Sequence, residues 1–99
     1  MRQSSLSTAY LRYKVTVAAD PTGDAVAFAF TTSNTPPGSG DWLTGSWEAY
    51  ASGSAVARIL IGPANGGHVL AVGSWIPWMR ISDNPEVPVF ELPTITILP

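Results

Sequence analysis

The sequence predicts an all-β domain, and three observations carry that prediction. Apolar and polar residues alternate over short runs, clusters of Gly, Pro, Asn and Asp separate the runs, and no segment holds a helical period. The 99 residues suffice for one domain, and a hydrophobic fraction of 45% supplies one core. Two packed sheets bury alternating faces better than one open sheet. The expected fold is therefore an immunoglobulin-like β-sandwich of about seven short antiparallel strands. A small jelly roll or barrel is the alternative architecture.

Met1–Ala9 is polar and rich in Ser and Thr, and reads as a flexible arm preceding a single domain over residues 10–99. Leu11, Tyr13, Val15 and Val17 alternate with Arg12, Lys14 and Thr16, giving a strand with one wet face. The turn signal Asp20-Pro21-Thr22-Gly23-Asp24 follows, then a strand with Val26, Phe28 and Phe30 on one face and Ala25, Ala27 and Ala29 on the other. These two strands are expected to pair as a hairpin. Ser33–Gly40 lacks periodicity and is a loop. Asp41–Ala51 is a third strand, with a bulge expected near Gly45.

Ala55–Ile61 alternates cleanly and is a fourth strand, ended by the cluster Gly62-Pro63-Ala64-Asn65-Gly66-Gly67. A short strand over His68–Val72 and a longer one over Trp75–Ser82 follow. Asp83-Asn84-Pro85-Glu86 turns the chain, and Val87–Leu98 closes it with Ile95 and Ile97 facing one way. Pro77 removes a ladder donor, which assigns its strand to an edge or to an irregular stretch. Trp42 and Trp47 are five apart and Trp75 and Trp78 three apart. Odd spacing in an unbroken strand sends one of each pair into the core and the other outward.

The composition argues against most chemistry. Charged residues are 12%, against about 25% in an average soluble protein, and the net charge is −2, so nothing marks a nucleic-acid or anionic-membrane surface. There is no cysteine and no apolar run of bilayer length; the longest, Ala25–Phe30, has six residues. The N-terminus carries no apolar stretch of the secretory type.

His68 is the one histidine, and no G-x-S-x-G elbow surrounds any serine, so it reads as a loop-edge residue. Asp20 and Asp24 lack the spacing of a calcium loop. Asp83 and Glu86 sit at an exposed tip where nothing would raise a carboxyl pKa. The glycine clusters match neither phosphate-binding fingerprint. No catalytic residue, metal or cofactor is expected.

The run Trp78-Met79-Arg80-Ile81-Ser82-Asp83-Asn84-Pro85-Glu86-Val87-Pro88-Val89 resembles a segment of small virion-associated proteins of tailed phages infecting actinobacteria, in which W-x-R-[IV]-x-D-x-P-E-x-P-V precedes a final alternating strand. The Asp20-Pro21-Thr22-Gly23 turn, Asp41-Trp42 with Trp47, and Ala57-Arg58-Ile59-Leu60-Ile61-Gly62-Pro63 are similar too. One departure is Pro77, which interrupts a strand that is usually continuous in those proteins. The resemblance implies a structural virion protein assembled in the host cytoplasm. Its job would be to decorate the capsid, contacting the major capsid protein or other virion subunits; a head–tail connector or tail-associated role is the alternative. Self-association and binding of a host-surface glycan through exposed Trp42, Trp47, Trp78 and Tyr50 are the remaining partner classes.

The contact surface is expected on the sheet face bearing Ile76, Trp78 and Arg80, reaching to Asp83, Glu86, Val87 and Val89. Arg80 points the same way as Trp78, and a guanidinium turned into the sandwich without a carboxylate would be costly. That face should be the outer one, with Ile76 and Trp78 forming an exposed apolar patch.

Overall fold

A computed structural model describes residues 2–16, 23–32, 35–51, 53–82 and 87–99. The Asp20–Thr22 part of the first turn and the Asp83–Glu86 turn lie outside them. Nine strands form among the described residues: β1 (Arg2–Ser4), β2 (Ala9–Thr16), β3 (Ala25–Thr31), β4 (Leu43–Thr44), β5 (Ser46–Ala51), β6 (Ser54–Ile61), β7 (Gly73–Ser82), β8 (Val89–Glu91) and β9 (Ile95–Leu98).

They make two sheets, one in the order β1-β9-β7-β3-β4 with β8 also on β7, the other β2-β6-β5. Packed face to face, these reproduce the immunoglobulin-like order, with β2-β6-β5 as the B-E-D sheet and β9-β7-β3-β4 as G-F-C-C′. Alternation does the sorting. β6 buries Ala55, Ala57, Ile59 and Ile61 and turns Val56, Arg58 and Leu60 outward. Val26, Phe28, Met79, Ile81, Leu92, Ile95 and Ile97 meet them from the larger sheet.

The expected hairpin between the first two long strands does not form. β2 zips antiparallel onto β6 from Ala9↔Ile61 to Thr16↔Ser54, while β3 lies in the other sheet between β7 and β4. The two strands need different surroundings. β3 has buried side chains on both faces, Phe28 on one and Ala29 on the other, and suits a central position in a sheet covered on both sides. β2 carries Arg12 and Lys14 on its wet face and suits a sheet covered on one side only.

Residues 2–9 of the segment expected as a free arm belong to the sandwich instead. Arg2–Ser4 pairs in parallel with Thr96–Leu98. Gln3 is buried, and its side-chain amide donates to the carbonyls of Ser7 (3.1 Å) and of Ile61 (3.0 Å) in the opposite sheet. Two hydrogen bonds from one amide replace the apolar anchors that a polar segment lacks.

The third strand breaks at Gly45 and changes sheets there: β4 pairs with β3, and β5 pairs with β6. The bulge lies further on, where Glu48 is the extra residue between Trp47 and Ala49. His68–Val72 forms no strand. β5 pairing begins at Ser46↔Arg58, so only the end of β6 is left open on that edge. His68 fills it, donating to Leu60 and accepting from Gly62, and the chain then departs.

Pro77 stands inside β7, which is paired on both edges, and the irregularity falls on its neighbour. The Pro77 carbonyl accepts from Leu92 N–H at 2.8 Å. In an antiparallel ladder a residue's N–H and C=O point the same way, so the missing proline donor faces that same neighbour. There the last strand divides into β8 and β9. Trp78↔Glu91 and Trp75↔Ile95 set four steps of that segment against three of β7.

Candidate partner-binding surface

The register lays out the outer face of the larger sheet in rows. Thr44, Ala27, Arg80 and Val89 form one row, Ala29, Trp78 and Glu91 the next, and Thr31 and Ile76 the third. Met79, Ile81 and Pro77 point the other way, the first two into the core cluster. Ile76, Trp78 and Arg80 therefore share the outer face.

The exposed patch expected there is absent. Trp78 is only 8% exposed, Ile76 is half-buried, and the reason is the alanine stripe of β3. With only methyl groups at Ala27 and Ala29, the large side chains of β7 lie down across β3. The Trp78 indole N–H reaches Thr31 Oγ1 at 2.9 Å. Arg80 passes over Ala27, its cross-strand partner, and sets its guanidinium 4.6 Å from the centre of the Trp42 ring. Trp42 is delivered to that spot by a stapled turn, in which Gly38 N–H donates to the Asp41 carboxylate at 2.8 Å and Asp41 N–H to the Gly38 carbonyl. Arg80 Nε is buried and meets no acceptor among the described residues. The cation is held by a ring face.

What remains open on this side is the edge. Among the described residues β8 pairs only with β7, and Val87 and Val89 are 51% and 49% exposed there. Of the seven expected contact residues, Val87 and Val89 are thus accessible, Ile76, Trp78 and Arg80 are largely covered by the chain itself, and Asp83 and Glu86 lie outside the described residues.

Trp75 and Trp78, within one unbroken strand, follow the odd-spacing rule, whereas Trp42 and Trp47 do not share a strand, because the chain changes sheets at Gly45. Trp47 and Trp75 pack against the core, and Trp42 and Trp78 lie on the outer side of the larger sheet. Trp47 donates its indole N–H to Asp24 O at 2.9 Å, and Trp75 to Ala71 O at 2.9 Å. Trp42, Trp47, Trp78 and Tyr50 do not share one face, because β5 belongs to the smaller sheet.

A second polar constellation, on the outer face of the smaller sheet, was not legible in the sequence. Arg12 and Arg58 are direct cross-strand partners, a repulsive placement by itself. Glu48 resolves it: Oε1 accepts from Arg12 Nε at 2.7 Å and Arg58 Nη1 at 3.3 Å, while the Tyr10 ring lies 4.2 Å from the Arg58 guanidinium and 5.4 Å from that of Arg12. The Arg12 hydrogen bond, ahead of the charges of both arginines, holds the Glu48 carboxyl below its ordinary pKa. The bulge at Glu48 supplies this position, and only the strand register reveals it.

Among the described residues no group of His, Asp and Glu could hold a metal ion, and no helix is long and apolar enough to cross a membrane. His68 borders an open cleft of about 220 Å³ with Tyr10, Ser46 and Arg58. Comparison with protein-family models, curated proteins and solved structures yields no match to this chain.

Proposed function

We propose that this protein is a non-enzymatic structural subunit of a tailed-phage virion, decorating the capsid and stabilising contacts between shell subunits. The observation that carries the reading is the edge at β8. The segment that resembles the virion-associated proteins ends there; Val89, on a strand paired along one side only among the described residues, and Val87 just before that strand stand about half exposed. A charged fraction of 12% supports it, since a charge-poor surface suits a subunit covered by neighbours.

The test is quantitative mass spectrometry of purified particles from a phage encoding this chain. A fixed copy number per particle, lost on Val89→Asp while the isolated variant keeps its melting temperature, is the expected result. Particles that lack the protein would overturn the reading.

A further inference from the structure

We propose that the free edge of β2 accepts an extended segment of another protein, one in which apolar and acidic residues alternate. In a four-stranded A-B-E-D sheet an additional strand lies beside B. Here the N-terminal strand β1 joins the other sheet, and β2, the counterpart of B, ends its own.

The backbone at this edge is set for pairing. Leu60 O accepts from His68 on the β5 side of β6. Leu60 is the cross-strand partner of Tyr10, so the N–H and C=O of Tyr10, and by alternation of Arg12 and Lys14, point away from β6. No backbone group among the described residues pairs with them.

The side chains define what would fit. Beneath the edge, between the two sheets, opens a cleft of about 210 Å³ lined by Leu11, Tyr13, Leu92, Pro93 and Ile95, with Arg12 at its rim. An added strand turns every second residue toward this apolar cleft and the others toward the outer face. Among the described residues of that outer face Arg12, Lys14 and Arg58 outnumber the single carboxylate of Glu48, which the two arginines already share. The surplus is positive. A second copy offering its own β2 would bring Arg12 and Lys14 against like charges, whereas acidic side chains on the added strand would complement them. The occupant is therefore an acidic, alternating segment of a different protein. This inference does not rest on the virion reading, because it concerns the isolated domain.

The probe is a short peptide alternating valine and glutamate, with its valine–lysine counterpart as control. The readouts are fluorescence anisotropy and amide hydrogen exchange by NMR. The expected result is saturable binding at least about tenfold tighter for the acidic peptide, a difference of about 1.4 kcal/mol. Exchange at Tyr10, Arg12 and Lys14 should slow, while Leu11 and Tyr13, already bonded to β6, stay unchanged. Lys14→Glu, on an exposed side chain, should keep the melting temperature and abolish the preference for the acidic peptide. Equal affinity for both peptides, protection at other strands, or the same protection arising in the protein alone as its concentration rises would each overturn the proposal; the last would make the occupant a second copy.

Discussion

Gly45 stands where the chain leaves one sheet for the other. A Cβ there would lie 2.7 Å from the Phe28 ring and 3.0 Å from the Arg58 carbonyl. Phe28 is fully buried and cannot swing away, so Gly45→Ala should destabilise the fold by about 1–3 kcal/mol in chemical denaturation, as overpacking does. Trp78 is also fixed by its surroundings. Its ring is covered by the chain's own outer layer, so Trp78→Ala should lower stability by roughly 3–5 kcal/mol in a thermal or urea melt. An unchanged melt would show that the ring is not packed. Glu48 gives a pH dependence whose direction follows from linkage. Its folded pKa is below the ordinary 4.5, so the unfolded chain takes up the proton more readily. Its contribution is complete above about pH 4.5 and fades as pH falls through the folded value. The difference in melting temperature between the parent and Glu48→Gln should accordingly shrink on acidification, from a start that is small because the pair is solvent-accessible.

At the scale of elements, the faces of strands were legible and their partners were not. The alternation correctly set Ala55, Ala57, Ile59 and Ile61 on one face of β6 and Ile95 and Ile97 on one face of β9, and the packed sheets turn both faces into the core. β1 escaped because its anchor is an amide and its pairing strand lies at the far end of the chain, Arg2 opposite Thr96. A three-residue polar strand has no periodicity to read. Its role is open to test: removing residues 1–4 exposes the edge of β9 and leaves the Ile61 carbonyl without the Gln3 amide. The truncated protein should lose at least about 1–3 kcal/mol, the cost of buried groups left unbonded. Gln3→Ala should reproduce part of that loss, and a melt unaltered by either change would return the segment to the free arm that its composition suggests.

For the whole molecule, the topology makes most pairings distant in sequence. Among the described strands β5–β6 is the one tight hairpin, while β2–β6, β3–β7 and β1–β9 all close long loops. Loop closure precedes the reward of such contacts, so the main refolding phase after dilution from urea should fall between milliseconds and seconds. A microsecond main phase would contradict this topology. The same topology explains the candidate surfaces, because the route of β1 into the larger sheet leaves β2 as an edge, and the division around Pro77 leaves β8 as another.

The sequence by itself determined the all-β class, the two-layer sandwich, the wet face of β2, the outward side of β7 and the opposition of Trp75 to Trp78. All of these follow from the period-two geometry of an extended backbone, which is local. Tertiary structure alone decided which strands pair, that β2 and β3 belong to different sheets, that β1 is a strand, and that Arg80 lies on Trp42 over the alanines of β3. Pairing is chosen by burial and by the neighbours that each edge requires, across dozens of residues. Several partners present an equally good alternating face, and only the packed molecule selects among them.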